Sequence, residues 1–347
     1  MLAAQCDANG DHDEAINALA RATRLGDVEA TTRLAKRLIV GGDAPLLPKD
    51  GAGLLIDAVR LGGAEAAARL GVLAAAGVYV EPGLDKGLQL TTMAAMRGWG
   101  PAQSQLLALT PDRDLAALSD QARPAGTYWQ QLAASIDLET WTASPPGEPL
   151  SESPRIRVFD DFAPAPVCRW LIEGSRHLLK RALVYDAVGV RDYESTTRTN
   201  SWAQFDLMAC DFVHVLLQAR MQAACGLPLC NMEATSILHY AVGQEIADHF
   251  DFVDPKLPNY AQEIERNGQR VVTFLIYLND DYGGGETEFP ALGISHKGRC
   301  GQGLYFVNAQ NDDPDLRTIH AGRPPRTAEK WIVSQFIRNR RVLGVAQ

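Results

Sequence analysis

The sequence predicts an α+β protein of several domains: an N-terminal α-helical repeat solenoid, followed by a double-stranded β-helix (jelly roll) with flanking helices. Three observations predict this fold class. Residues 1–110 repeat with a period of 36 and with helical spacing of apolar side chains. A stretch rich in proline and serine interrupts the chain at 143–154. Beyond residue 155, short apolar runs alternate with glycine and proline turns, which is typical of a sandwich or barrel.

Length and composition narrow the class of protein. A chain of 347 residues predicts about two domains. The net charge of −9 disfavours general binding to nucleic acid or to an anionic membrane surface, and no apolar run approaches the ~18 residues of a membrane span. The six cysteines are scattered, and the first residues do not resemble a secretory signal. We therefore expect a cytoplasmic protein with reduced thiols, no nucleic-acid partner and no membrane partner.

The repeat is visible in small and branched residues. Arg24-Leu25-Gly26 recurs as Arg60-Leu61-Gly62 and again as Arg97-Gly98. The following residues share the same 36-residue offset: Ala22, Ala58 and Ala94; Leu34, Leu70 and Leu106. The pattern resembles Sel1-type repeats, relatives of the tetratricopeptide repeat, in which each unit is a pair of antiparallel helices. We assign 1–110 to Sel1-like repeats, whose surface would bind a protein or peptide, or would serve as a spacer or dimerisation platform.

The remainder divides into a connector, a β-rich domain and a tail. Residues 111–154 are assigned to a helical and proline-rich connector, with a helix expected near 115–136. The β-rich domain is assigned to 155–341 and the C-terminal tail to 342–347. Helices are predicted at 164–183 and 206–225. Strands are predicted at 155–162, 235–240, 270–278, 286–289, 303–307, 316–320 and 329–338.

Two histidines and one aspartate form a candidate metal site. His249 and Asp251 are two residues apart, so in a strand they project from the same face. His320 would come from a distant strand. Two imidazoles and one carboxylate leave open coordination positions and are the ligand set of non-haem Fe(II) oxygenases. Zinc also binds such sets, so the ligand types alone do not choose between the metals.

Lys330, ten residues after His320, favours iron. Gly322, Pro324 and Pro325 turn the chain between them, so we expect a hairpin-like return that brings Lys330 near His320. A lysine is a compact cation that could hold the far carboxylate of a diacid such as 2-oxoglutarate, while the other end of the diacid chelates the metal.

These residues occur in an order that resembles the prolyl 4-hydroxylase family of 2-oxoglutarate oxygenases. The matching stretches are Tyr240-Ala-Val-Gly-Gln, His249-Phe-Asp251, Arg270-Val-Val-Thr-Phe-Leu-Ile-Tyr-Leu-Asn, Gly284-Gly-Glu-Thr287-Glu-Phe-Pro, His320 and Lys330. The resemblance covers roughly 155–341. It implies an enzyme, a dioxygenase that hydroxylates an unactivated C–H bond and releases succinate and CO2. It also implies Fe(II), 2-oxoglutarate and O2, with ascorbate as a candidate reductant.

The resemblance also implies roles for further residues. Tyr240 and Thr287 match residues that contact 2-oxoglutarate, and Arg270 matches an arginine on the substrate side. The sequence departs from the peptidyl-proline enzymes at Ile246, where they carry a tyrosine, and at Phe336, where they carry a tryptophan. Both positions shape the substrate side, so Ile246 and Phe336 join Arg270 as candidate substrate-binding residues, and the hydroxylated residue stays open.

Three functions remain open at this point. The first is a hydroxylase of a peptidyl residue, with the repeats docking the peptide or protein that carries it. The second is a hydroxylase of a free amino acid or other small molecule, with the repeats used for oligomerisation. The third is a non-catalytic repeat scaffold. A nucleic-acid demethylase is disfavoured, because those oxygenases carry arginines in place of the lysine and because this chain is acidic.

Overall fold

The computed structural model describes residues 2–124, 126–186, 191–193, 195–310 and 312–342. It forms two compact units. The first comprises Met1–Thr140 and Asp206–Leu216, and the second comprises Trp141–Phe205 and Leu217–Val345. The assigned domain boundaries at 110, 154 and 341 stay predictions, and residues 343–347 of the assigned tail lie outside the described residues.

The first part of the chain is helical. Its helices are α1 (Leu2–Ala8), α2 (His12–Arg24), α3 (Val28–Val40), α4 (Pro48–Arg60), α5 (Ala64–Ala76), α6 (Leu84–Met96), α7 (Gly100–Leu109), α8 (Arg113–Ala116), α9 (Tyr128–Ala134) and α10 (Leu138–Thr142). The starts of α2, α4 and α6 are 36 residues apart, and so are those of α3, α5 and α7. The predicted helical repeats are therefore confirmed.

The repeated glycine has a conformational cause. Gly26, Gly62 and Gly98 follow the first helix of each pair with φ values of 84°, 94° and 85°, where a Cβ is unfavourable. The first repeat buries alanine and leucine side chains in a shared core: Ala3, Ala15, Leu19, Ala30, Leu34 and Leu38.

The helix expected near 115–136 is interrupted. Two short helices, α8 and α9, occupy part of this range instead. Pro124 lies between them, and proline neither donates a backbone hydrogen bond nor fits inside a helix.

The rest of the chain is dominated by short strands. They are β1 (Gly147–Glu152), β2 (Arg155–Phe159), β3 (Lys180–Arg181), β4 (Val184–Asp186), β5 (Arg191–Tyr193), β6 (Ser201–Phe205), β7 (Thr235–Tyr240), β8 (Ile246–His249), β9 (Arg270–Tyr277), β10 (Thr287–Phe289), β11 (Ile294–His296), β12 (Gly303–Val307), β13 (Ala309–Gln310), β14 (Asp313–Pro314), β15 (His320–Gly322) and β16 (Lys330–Arg338). Three further helices occur in this part of the sequence: α11 (Ala165–Ser175), α12 (Phe212–Cys225) and α13 (Pro258–Asn267).

The strands form two main antiparallel sheets. An eight-stranded sheet has the order β1-β2-β12-β9-β16-β7-β6-β3, and a four-stranded sheet has the order β11-β10-β15-β8. Side chains of both sheets share one core: Ile156, Val158, Leu238, Tyr240, Ile246, Leu275, Tyr277, Phe289, Leu304, Phe306 and Ile332. Two antiparallel sheets over a common core confirm the predicted fold class.

The hairpin-like return expected between His320 and Lys330 is wrong. Leu316–Thr318 is a 3₁₀ helix rather than a strand. β15 pairs with β8 and β10 in the four-stranded sheet, whereas β16 pairs with β7 and β9 in the eight-stranded sheet. Pro324 and Pro325 cannot donate to a ladder, so the intervening segment passes from one sheet to the other.

None of the helices in the described ranges combines the length and the apolarity that a bilayer crossing requires.

Candidate active site

The structure brings the three predicted metal ligands together. β8 and β15 are neighbours, and His249 lies directly opposite His320 in their register, with the ring centroids 4.2 Å apart. The Asp251 carboxylate is close to both rings: Oδ1 lies 3.4 Å from His249 Nε2, and Oδ2 lies 3.3 Å from His320 Nε2. The three ligand atoms all lie within 4.8 Å of one another.

Backbone carbonyl groups orient both imidazoles. His249 Nδ1 lies 2.9 Å from Ala247 O, and His320 Nδ1 lies 2.9 Å from Thr318 O. A carbonyl oxygen only accepts hydrogen bonds, so each Nδ1 carries the proton and donates it. Each Nε2 then faces Asp251, which is the arrangement that presents nitrogen lone pairs to a metal.

The charge of the cluster suits a divalent cation. Burial alone would raise the pKa of Asp251, but His320 and His249 outweigh it and hold that pKa well below its usual value. Burial likewise opposes charge on His320, and Asp251 outweighs it and raises the pKa of His320. An ionised carboxylate beside two imidazoles, without a thiolate, fits Fe(II).

Two buried polar residues that sequence reasoning missed hold Asp251 in place. The Thr273 hydroxyl donates to Asp251 Oδ2 at 2.8 Å, and Asn308 Nδ2 donates to Thr273 Oγ1 at 2.8 Å. Both residues are almost inaccessible to solvent. The available signal was a threonine within the apolar run of β9, because a buried hydroxyl needs a partner.

Lys330 is a fully buried cation beside two tyrosines. It begins β16, opposite Tyr240 on β7, and its exposed fraction is 0%. Its Nζ donates to Gly285 O at 2.6 Å and lies 5.2 Å and 5.8 Å from the rings of Tyr240 and Tyr277. Burial lowers its pKa to about 7, although Glu286 acts in the opposite direction. Within the described part of the chain we see no salt bridge to Lys330, so a carboxylate ligand would stabilise its charge.

Thr287 lies on β10 of the four-stranded sheet and contacts a residue of the eight-stranded sheet. The Tyr277 hydroxyl, which sequence reasoning also missed, donates to Thr287 Oγ1 at 2.9 Å. Burial raises the pKa of Tyr240 and of Tyr277, so both phenols stay protonated. Gly285 has φ +74°, and a Cβ there would lie 2.7 Å from the Tyr282 ring and 3.2 Å from Lys330 Cδ. The glycine therefore allows the Tyr282 ring and the Lys330 side chain to pack against the backbone.

The three candidate substrate residues are placed differently. Arg270 makes a bidentate pair with Glu233 at 2.7 and 2.8 Å, and its guanidinium lies 4.0 Å from the centroid of the Phe336 ring. Glu233 also accepts a hydrogen bond from Arg338 Nε at 2.6 Å. Ile246 is buried in the core between the sheets. The structure thus brings Arg270 and Phe336 together, and the substrate roles of all three residues stay predictions.

One more arginine lies close to the candidate ligands. Arg198 forms an isolated bridge with Ile246, and its guanidinium interacts electrostatically with Tyr240 and Asp251. Its buried Nε has no hydrogen-bond partner among the described residues. Sequence reasoning missed it, because a single arginine in a polar stretch carries no distinguishing pattern.

A cavity of about 760 Å³ reaches one of the three candidate metal ligands, Asp251. Asp251 and Arg270 contribute to its wall. Its other lining residues come from the segments around β8, α13 and β14: Phe250, Phe252, Val253, Asp254, Pro255, Lys256, Tyr260, Glu263, Asp313, Pro314 and Leu316. A cavity beside an open metal site can admit a substrate to the reacting centre.

Comparison with known proteins agrees with this geometry. A family model described as the 2OG-Fe(II) oxygenase superfamily matches residues 235–338. The "Probable prolyl 4-hydroxylase 9" of Arabidopsis thaliana is 30% identical over 216 residues, which is 56% of this chain and 72% of that protein.

Two solved structures each resemble part of the chain. The viral collagen prolyl hydroxylase of Paramecium Bursaria Chlorella virus-1, solved with 2OG, is 24% identical and covers 53% of this chain and 95% of its own, with a TM-score of 0.41. A Sel1 repeat protein from Oxalobacter formigenes is 24% identical and covers 38% of this chain and 54% of its own, with a TM-score of 0.29. The extent of the identity with the plant relative, together with the family-model match, shows that the chain belongs to the prolyl 4-hydroxylase family of 2-oxoglutarate- and Fe(II)-dependent oxygenases.

Proposed function

We propose that this enzyme hydroxylates an unactivated C–H bond of a residue within a peptide or protein. The observation that carries the proposal is the cavity at Asp251, whose lining includes the exposed side chains of Phe250 and Leu316, 38% and 65% accessible. Exposed apolar side chains beside a reacting centre suit a chain segment that lies across the opening. The relatives' names support a prolyl residue as the target, whereas Ile246 and Phe336 depart from the peptidyl-proline pattern.

Each residue of the candidate site has a physical task. His249, Asp251 and His320 would hold Fe(II). Bound Fe(II) and 2-oxoglutarate supply the activation of O2 for hydroxylation, with succinate and CO2 as the other products. Lys330 would hold the far carboxylate of 2-oxoglutarate. The family resemblance places Tyr240 beside the same ligand.

Hydrogen bonding leaves Thr287 able to donate. Its oxygen accepts the Tyr277 proton, so its own hydroxyl proton is free for a ligand oxygen. Phe289 and Phe306 lie 5.7 Å and 4.7 Å from the His320 ring, centroid to centroid. These apolar rings exclude water from that side of the cluster.

The metal assignment is tested by substitution. We expect the purified chain to bind one Fe(II) and to convert 2-oxoglutarate to succinate slowly without substrate. His249→Ala or Asp251→Ala should abolish both, because the open site needs all three ligands. Asp248→Ala is the matched control, since Asp248 pairs with Arg323 at the surface. Undiminished succinate formation by either ligand variant would refute the assignment.

A free amino acid or other small metabolite is the second candidate substrate. The cavity volume favours it, because about 760 Å³ lies within the ~300–1,000 Å³ of small-molecule sites. Incubation of the enzyme with a cell lysate, followed by mass spectrometry for one added oxygen atom, separates the two. Oxidation of proteins supports the peptide proposal, and oxidation confined to metabolites replaces it.

We propose that the repeats dock the protein substrate. The support is a groove of about 660 Å³ in the first unit, lined by residues of α6 and α9 with their neighbours: Asp85, Leu88, Gln89, Thr92, Met93, Met96, Arg97, Gln130, Ala133 and Ala134. Flexible methionines suit varied peptide side chains.

A charge in the groove tests the docking proposal. Met96→Glu should raise KM for the substrate found in lysate about tenfold, the cost of one interface anchor, and leave substrate-free 2-oxoglutarate turnover unchanged. Leu25→Glu, at an exposed repeat position outside the groove, is the matched control. An unchanged KM for Met96→Glu would show that the groove does not dock the substrate.

We also propose a cytoplasmic location. It is supported by the six cysteines of the chain, which form no disulfide in the structure, since reduced thiols are typical of that compartment.

A further inference from the structure

Two cysteines of the β-rich unit come together from distant parts of the sequence. Cys168 lies in α11 and is fully buried, whereas Cys300 lies in the loop before β12 and is exposed. Backbone contact holds the two segments together, because Ala163 N donates to Gly301 O at 2.9 Å. Gly301 has φ +80°, and a Cβ there would lie 2.2 Å from Ala163 O. Only glycine allows this approach, which places the residue next to Cys300 against the carbonyl group that the Cys168 thiol contacts.

Each thiol donates to a backbone carbonyl beside this contact, and Cys168 Sγ lies 3.7 Å from Ala163 O. When both are protonated, Cys300 Sγ donates to Leu278 O at 3.3 Å. When Cys300 ionises, the Cys168 thiol donates to it. This hydrogen bond outweighs burial and lowers the pKa of Cys300 to about 7, and it raises the pKa of Cys168. About half of Cys300 is then the nucleophilic thiolate near pH 7, and it is the accessible member of the pair.

We propose that Cys300 and Cys168 are a peroxide-sensitive thiol pair that closes to a disulfide. The exposed Cys300 thiolate attacks one oxygen of hydrogen peroxide, the O–O bond breaks, and the product is a sulfenic acid with release of water. Cys168 then attacks the sulfenic sulfur. An S–S bond forms, and hydroxide leaves with the Cys168 proton as a second water. The two thiols supply the two electrons that reduce one peroxide, and a dithiol reductant reverses the reaction.

Neighbouring contacts link this pair to the cosubstrate pocket. Gly301 N donates to Tyr277 O at 2.8 Å, and a Cβ on Gly298 would lie 2.1 Å from the Tyr277 ring. The Tyr277 hydroxyl holds Thr287. A disulfide requires the sulfur atoms to approach to about 2.05 Å, which draws Cys300 away from Leu278 and shifts the loop that supports Tyr277.

The linkage predicts a weaker cosubstrate site after oxidation. Disruption of one hydrogen bond at the pocket wall corresponds to an affinity for 2-oxoglutarate that is about 3- to 10-fold lower. This consequence rests on the proposed function, whereas the disulfide itself does not.

Peptide mapping tests the thiol pair directly. The purified full-length chain is treated with hydrogen peroxide in the presence of an iron chelator and is mapped by mass spectrometry without reduction. We expect one cross-linked peptide pair containing Cys168 and Cys300, which dithiothreitol separates. Cys168→Ser should leave a sulfenic acid on Cys300 that dimedone traps, and Cys300→Ser should give neither product. Cys230→Ser, which removes a half-buried thiol elsewhere, should cross-link like the wild type.

Two results would overturn the proposal. The thiol pair is excluded if Cys168 and Cys300 stay reduced while other cysteines oxidise. It is also excluded if Cys300 oxidises without forming a cross-link to Cys168. Binding of 2-oxoglutarate to the metal-loaded chain is measured before oxidation, after it and after reduction. If the affinity for 2-oxoglutarate is the same with and without the disulfide, the thiol pair does not affect the cosubstrate pocket. If the reduced chain fails to bind 2-oxoglutarate, the proposed function is wrong, and the peptide map still decides the disulfide.

Discussion

Replacement of Lys330 by methionine should raise stability and weaken cosubstrate binding at once. Methionine approximates the length and shape of the lysine stem and removes the charge. Burial lowers the pKa of Lys330 from 10.5 to about 7, so the folded wild type binds fewer protons than the unfolded chain between those values. Near pH 7 this difference corresponds to roughly 4 kcal/mol of lost stability, at about 1.4 kcal/mol per pKa unit.

The stability that the methionine variant gains by removing the buried charge is partly offset by a lost hydrogen bond. Methionine leaves Gly285 O without the Nζ donor, which costs about 1–3 kcal/mol. The net gain in the free energy of unfolding should be on the order of 2 kcal/mol at pH 7. The stability cost of the wild-type lysine falls as the pH rises from 7 to 10.5, because the unfolded chain still binds the lysine proton that the folded chain has lost. The gain should therefore vanish at about pH 9, where that cost has fallen to about 2 kcal/mol, and the variant should be the less stable chain at pH 10.

Binding should respond in the opposite direction. Loss of one charge-assisted contact of about 1.5–3 kcal/mol lowers the affinity for 2-oxoglutarate roughly 10- to 150-fold. In the wild type, a bound carboxylate raises the pKa of Lys330, so binding above pH 7 takes up a proton. Wild-type affinity should therefore fall as the pH rises above 7, whereas the affinity of the methionine variant should not follow that titration.

Urea denaturation at pH 7 and pH 10, with anaerobic calorimetry of 2-oxoglutarate binding to the Fe(II)-loaded chain, measures both effects. If the Lys330→Met chain is less stable than the wild type at pH 7, the buried Lys330 charge does not destabilise the fold as argued. An unchanged affinity would show that another cation holds the carboxylate. Arg198 would then be the first candidate, because Arg338 is already bound by Glu233 and Glu263.

Two further predictions concern the supports of the site. Thr273→Val keeps the side-chain shape but removes the donor to Asp251, so Fe(II) affinity should fall about 10- to 100-fold; an unchanged metal titration curve would contradict this role. Glu233→Ala leaves Arg270 and Arg338 without their shared buried carboxylate, and should lower the free energy of unfolding by about 3–5 kcal/mol. Asp312→Ala, which removes an exposed pair with Arg340, is its control and should cost less than about 1 kcal/mol in the same denaturation experiment.

The features that were predictable from the sequence are those that the chemistry or a repeat fixes locally. The 36-residue period locates the helix pairs, because each pair needs the same glycine and the same small residues. The spacing of two residues predicted that His249 and Asp251 lie close together, and they do so where β8 ends, although Asp251 itself lies beyond the strand. Lys330 was recognisable because its distance in sequence from His320 follows a family pattern, although the two residues lie on strands of different sheets.

What the sequence could not reveal depends on long-range pairing. No local pattern states that β15 and β16 belong to different sheets, so the expected hairpin was wrong. Thr273 and Tyr277 lie within a strand whose sequence is typical of a buried apolar strand. Only the pairing register of that strand decides which of its side chains reach the site. Pro124 marks the helix break in the sequence, but the apolar residues on both sides of it have helical spacing, which favoured a single helix.

The division of the candidate site between two sheets makes the packing between the sheets part of the site. Two of the candidate metal ligands, His249 and His320, belong to strands of the four-stranded sheet, whereas Lys330 and Tyr240 belong to the eight-stranded one. A diacid that bridges the metal and Lys330 has a fixed length, so the spacing of the sheets must be fixed as well. Close-packed side chains between the sheets set that spacing, because protein interiors resist compression. Tyr240 is both a core residue and a candidate ligand contact, so, with Lys330 in the proposed role, the packing that stabilises the fold would also determine which cosubstrate spans the site.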